Sequence, residues 1–223
     1  MTATDLIYYN AVGDDGGTID LSSPITSGQL NNLLPDVTAI MAEAGGVVYR
    51  KFFVKNTHGT DTALASDMAM TRFSDAGDHM AIFEGTDADT TADYILTKMW
   101  GVAKANAELD RPTKTVTVDV EGSQALSDIF EEGDNITFID NSTGQKIVKA
   151  TIAVGGVGTD DLTIEEDIPV EVVLDASYIA NTIVMGDISA GATKAIWVRQ
   201  TVPAFTSAYS NSYFGVNTIF VSS

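Results

Sequence analysis

Val47-Val48-Tyr49-Arg50-Lys51-Phe52-Phe53-Val54-Lys55 is the most strand-like stretch of the chain, dense in β-branched and aromatic residues. It ends in Asn56-Thr57-His58-Gly59, a turn signal. Nineteen glycines, many threonines and short apolar runs bounded by Gly, Asp, Asn and Ser repeat that punctuation along the sequence. Further strands are predicted at 6–11, 68–73, 80–83, 94–100, 115–120, 135–140, 146–154, 161–165, 170–174, 182–185, 195–200 and 213–221. Strands roughly 8–15 residues apart with turns between them make an all-β sandwich or barrel.

Helical signals are few. Leu30, Leu33, Leu34, Val37, Ile40 and Met41 have partly helical spacing, but Pro35 interrupts them, so short helical turns are predicted there. Residues 123–130 read either as a helical turn opened by a Ser cap or as a loop.

The middle of the chain differs in texture. From about Arg111-Pro112 to Tyr178 it is a tight, acid-rich meander, with turns at Glu132-Gly133-Asp134, at Asn141-Ser142-Thr143-Gly144 and from Gly155 to Asp160. Four or five short strands in roughly 65 residues suit a small SH3-like or OB-like barrel. The sequence therefore predicts three segments: 1–110 as the first part of an Ig-like β-sandwich, 111–181 as an inserted small β-barrel, and 182–223 as the closing strands. Insertion is tolerated because loop-closure cost grows slowly with length and domain termini often lie close together.

Composition excludes several functions. The chain has 223 residues, with 12 Lys plus Arg against 31 Asp plus Glu, a formal charge of −19. Such a chain repels nucleic-acid phosphates and anionic membrane surfaces. Cysteine is absent, so no disulfide or thiolate chemistry is available. No apolar run reaches the about 18 residues of a membrane span, and Met1-Thr2-Ala3-Thr4-Asp5 lacks the start of a signal peptide. A soluble protein made in a cytoplasm is expected, where the sequons at Asn135 and Asn141 stay unmodified.

Catalytic signals are weak. General acid–base chemistry favours His, and the two present, His58 and His79, both fall in turns. No Gly-x-Ser-x-Gly elbow, His-Glu-x-x-His or Walker-type loop occurs. The carboxylate pairs Glu131-Glu132, Asp160-Asp161 and Glu165-Glu166-Asp167 lie on turns or strand ends, and Trp100 and Trp197 sit within strand patterns, as core or interface residues more than sugar platforms. Calcium is the most reasonable ion. Asp87-Ala88-Asp89-Thr90-Thr91-Ala92-Asp93 opens like an EF-hand loop, then departs with Ala92 at its sixth position and Lys98 at its twelfth. Asp14-Asp15-Gly16-Gly17 is an ordinary turn that offers carboxylates. Solvated acidic loops remain the expectation, with no catalytic, cofactor-binding or metal-ligating residue and no cofactor assigned.

Two stretches resemble a known family. They are Gly28-Gln29-Leu30-Asn31-Asn32-Leu33-Leu34-Pro35-Asp36-Val37 through Ala42-Glu43-Ala44-Gly45-Gly46 to Tyr49–Thr57, and Gly186-Asp187-Ile188-Ser189-Ala190-Gly191-Ala192-Thr193-Lys194-Ala195-Ile196-Trp197-Val198-Arg199-Gln200-Thr201-Val202-Pro203-Ala204. Both resemble tailed-bacteriophage virion structural proteins with an Ig-like sandwich. The resemblance implies a non-enzymatic structural subunit assembling in several copies at the neck, collar or tail, with copies of itself and other virion proteins as partners. The alternatives are a capsid decoration (cement) protein, a carbohydrate- or receptor-binding module and a hydrolase using clustered carboxylates. Tyr8, Tyr9, Tyr209, Tyr213 and Phe214 are candidate contact aromatics, and the strand at 213–221 is expected to complete a sheet or pair with a neighbour.

Overall fold

A computed structural model describes residues 1–29, 32–72, 77–91, 98–106, 113–120, 124–140, 146–169, 172, 177–207 and 215–222. The chain is all-β, with a six-stranded barrel and a separate sheet. Its strands are β1 (Leu6–Gly13), β2 (Gly16–Pro24), β3 (Gly46–Asn56), β4 (Ala63–Arg72), β5 (His79–Glu84), β6 (Val102–Ala105) and β7 (Thr115–Asp119). They continue as β8 (Asn135–Asp140), β9 (Lys146–Val157), β10 (Asp161–Ile164), β11 (Ser177–Ile188), β12 (Thr193–Val202) and β13 (Gly215–Ser222). A six-residue helix, α1 (Ala39–Ala44), begins after Pro35, where Thr38 accepts a hydrogen bond from the Met41 amide at 3.3 Å. Residues 126–128 form a single 3-10 turn.

Several sequence expectations concern residues outside this description: Leu30, Phe73, 94–97, Arg111-Pro112, Ser123, the turn at 141–144, all of 170–174 except Val172, Tyr209, Tyr213 and Phe214.

The separate sheet has the order β2-β1-β3-β12-β5. Its centre is β3 paired with β12 from Gly46↔Val202 to Lys55↔Thr193. A second sheet runs β13-β4-β11-β6-β7-β10-β9-β8, and β8 also pairs with β11. That pairing closes β11, β6, β7, β10, β9 and β8 into the barrel. The middle region supplies β7, β8, β9, β10 and the start of β11, within the four or five strands expected there, and closure also uses the short β6, which precedes residue 111.

The two sheets share a core. Phe52 and Val54 of β3, Ile82 of β5 and Val198 of β12 pack with Met68 and Met70 of β4 and with Ile183 of β11. A second core fills the barrel, where Phe130, Ile136, Phe138, Ile152, Leu162 and Ile179 are all 1% exposed or less. β11 belongs to both bodies. Residues 177–181 pair with β8, and Thr182 onward pairs with β4.

Side chains alternate along a strand, so Lys51 and Phe53, on either side of Phe52 in β3, face away from the shared core. They are buried nonetheless: Lys51 is 2% and Phe53 0% exposed. The segment after β5 covers that outer face. Gly85 donates to the Ala195 carbonyl at 3.0 Å, Gly17 to Asp89 at 3.0 Å, and Trp100 exchanges two hydrogen bonds with Ile82. Burial on both faces explains why β3 reads as a near-continuous apolar run.

Candidate functional site

The buried Lys51 organises the covered face. Its ammonium lies 5.1 Å from the Phe53 ring centre and 5.8 Å from that of Trp197. It donates to the Asp89 carbonyl at 3.0 Å and to Asp89 Oδ1. The other carboxylate oxygen of Asp89 accepts from Trp197 Nε1 at 3.2 Å and from the Thr86 amide at 2.9 Å. Burial alone would raise the Asp89 pKa, but hydrogen bonds from Lys51, Thr86 and Trp197 outweigh it and hold the pKa below the usual carboxylate value. Two glycines make room for the indole. A Cβ on Gly85 would sit 2.8 Å from Trp197 Cδ1, and one on Gly16, at φ +99°, would sit 2.7 Å from Cη2. The arrangement is a closed ion pair that pins a loop to a sheet.

This decides what the acidic loop does. Asp89 is committed to Lys51, while Asp87 accepts from Thr193 at 3.5 Å and Asp93 lies outside the described residues. Asp14 pairs with Arg50 at 3.3 Å, and the Asp15 carbonyl accepts from the Thr91 amide at 3.0 Å. Among the described residues, no group of three or more His, Asp or Glu side chains is placed to hold a metal ion.

The histidines stand at opposite ends of the sheet. His58 follows β3, and its Nδ1 accepts from the Thr60 and Asp61 amides at 3.3 and 2.9 Å. His79 begins β5, in register with Thr201, which pairs with Val47 at the start of β3. About 30 Å of strand separates them, too far to share a proton. His79 is 7% exposed, and its Nδ1 has no hydrogen-bond partner. Burial, opposed by Asp78 and helped by Arg199, lowers its pKa. Asp78 itself accepts from Gln200 Nε2 at 2.6 Å.

Of the carboxylate clusters, Glu131 and Glu132 serve the fold. Glu131 pairs with Lys98 at 3.1 Å, and Glu132 accepts from the Gly155 amide at 3.0 Å. Glu165, Glu166 and Asp167 border a depression of about 200 Å³ whose one bordering cation, Lys149, pairs with Asp67. Trp197 is fully buried and offers no sugar platform, while Trp100 lies beneath Lys98 at 5.5 Å.

A second buried polar cluster marks the point where β11 leaves the barrel. Asn181, 0% exposed, donates to the Ile129 carbonyl at 2.7 Å and to Asp134 at 3.1 Å. Its carbonyl accepts from the Gly101 amide at 2.8 Å. Asp134 also binds Lys98. Burial pulls the Lys98 pKa down, but Asp134 and Glu131 outweigh it and the pKa is raised. Sequence reasoning missed both Lys51 and Asn181, since nothing local in sequence signals a partner 38 or 47 residues away.

No family model, curated protein or solved structure matches the chain. The surface features left for function are sheet edges and exposed apolar side chains. Ile40 on α1 is 81% exposed and Phe205 90%. Phe205 has φ +63°, and its amide donates to the Glu43 carbonyl at the end of α1 at 3.3 Å. A bulky residue in the left-handed region is a backbone outlier, and here its ring points into solvent.

Proposed function

We propose that the chain is a non-enzymatic structural subunit of a tailed-phage virion, present in several copies at the neck, collar or tail. One observation carries this reading. The two stretches that resemble phage virion proteins, far apart in sequence, contain β3 and β12, which pair along ten residues of β12 at the centre of the separate sheet. The resembling residues therefore form one continuous piece of architecture, which we take as the framework of an Ig-like sandwich, with the barrel as a smaller insert of SH3-like or OB-like kind.

The chemistry fits a passive role. The buried Lys51 is paired with Asp89 and the half-buried Lys98 with Asp134, while Glu132 bonds a backbone amide and Glu131 and Asp14 bond cations of the same chain. A charge of −19 keeps free subunits apart in solution and off packaged DNA. Cryo-electron microscopy of purified particles tests the proposal. Density for this chain in a ring between head and tail, or along the tail, is the expected result. Density spread over the capsid lattice would make it a decoration protein, and absence from the particle would end the virion reading.

A further inference from the structure

We propose that β13 is the edge on which a second copy of this chain docks, each copy adding its own β13 antiparallel to the other about a twofold axis. The inference deepens the multi-copy reading above and rests on it.

Sheet edges are usually guarded by charge, proline, irregularity or a covering segment. The separate sheet is guarded at both ends. β2 carries Asp20 and Pro24, is irregular in register with β1, and its start is covered by Asp89 and Thr90. The free side of β5 is capped by Trp100. The barrel closes on itself through β8 and β11, so its described strands are paired on both sides. The second half of β11 carries Asp187 and is irregular in register at Val184, Gly186 and Ile188.

β13 differs from all of these. Gly215-Val216-Asn217-Thr218-Ile219-Phe220-Val221-Ser222 has no charged residue and no proline. Its pairing with β4 is regular only from Val216 to Ile219, with a register shift on each side, so what sets this edge apart is its neutrality, and among the described residues no strand lies beyond it. Val216 and Phe220 pack on the shared core, and Thr218 bonds the Tyr8 hydroxyl at 2.8 Å. Alternation then turns Asn217, Ile219 and Val221 outward, and Val221 is 62% exposed.

Charge selects the occupant. Two chains of −19 repel, and a contact made by a neutral strand is one that adds no like-charge pair to that repulsion. A twofold pairing of β13 sets only neutral residues opposite one another. Asp67 lies opposite Ile219 on β4 and is already paired with Lys149. A strongly basic partner would find nothing to bind along this strand, whereas an identical strand meets its complement.

Sedimentation of the purified full chain over a concentration series, with amide hydrogen exchange at each concentration, tests this. The expected result is a dimer whose amides in residues 216–221 become protected as concentration rises. Val221→Glu and Ile219→Glu place like charges across the contact and are expected to weaken association by about tenfold or more. Leu21→Glu on β2 leaves it unchanged. Circular dichroism confirms that each variant folds, and the exchange readout on the unmodified chain needs no variant. Dimerisation that Val221→Glu and Ile219→Glu leave intact, without protection of β13, overturns the surface but not the multi-copy reading. A chain that stays monomeric throughout also overturns it, while copy number in purified particles judges the multi-copy reading separately.

Discussion

The Lys51–Asp89 pair gives the sharpest test of how the covered face is held. Asp89→Asn leaves a fully buried ammonium facing a carbonyl and a neutral amide, and removing one partner of a buried pair costs about 3–5 kcal/mol. Lys51→Met is milder. The Asp89 side chain stays 16% exposed and keeps its bonds from Thr86 and Trp197, so about 2–3 kcal/mol is expected. The double variant removes both charges from an apolar setting and is expected within about 1 kcal/mol of the parent. A coupling of more than about 2 kcal/mol follows from a double-mutant cycle. In a chain of this size each kcal/mol moves Tm by about 2–4 °C, so Asp89→Asn is expected to melt roughly 10 °C lower. Urea titration and calorimetry measure the cycle, and limited proteolysis reads opening of residues 86–91. Additive single effects, or Asp89→Asn no worse than Lys51→Met, would refute the argument that a desolvated ammonium holds this loop.

Three other outcomes are expected. Gly85→Ala pushes a methyl against the Trp197 indole at 2.8 Å and destabilises by about 1–3 kcal/mol, measured by urea titration. Phe205→Asn replaces an exposed aromatic at positive φ with a residue that tolerates the left-handed region, and raises Tm by an amount equivalent to about 0.5–1 kcal/mol. His79 has a lowered pKa, chiefly from burial, so the unfolded chain binds its proton more readily than the folded one. Its stabilising contribution is present above the ordinary imidazole value and is lost as pH falls through the folded pKa; the urea midpoint of His79→Gln therefore changes less than that of the parent between about pH 8 and about pH 5.5.

Much of the strand inventory was legible because it depends on local chemistry. The β-branched and aromatic run around Phe52 places β3, and 135–140 coincides with β8. What escaped was set by tertiary context. β2 reads as Gly-Gly-Thr-Ile-Asp-Leu-Ser-Ser-Pro, a polar edge with little hydrophobic pattern, and β6 is four residues long. β11 was anticipated only at 182–185, because Ser177 and Asn181 look like turn residues. They lie inside a strand because Asn181 finds buried partners on Ile129, Asp134 and Gly101. The same blindness affects the acidic loop. Alternating carboxylates at Asp87 and Asp89 suggest a cation, and the cation is Lys51 of the chain itself.

One consequence of β11 is mechanical. Its twelve residues run without a break from the barrel wall into the sheet, so the two bodies are joined by a built-in beam and not by a hinge. A sideways load on the barrel is carried into the sheet as shear across many hydrogen bonds at once. Anything that gripped the chain by its barrel would also hold the sheet that β11 enters at a set angle.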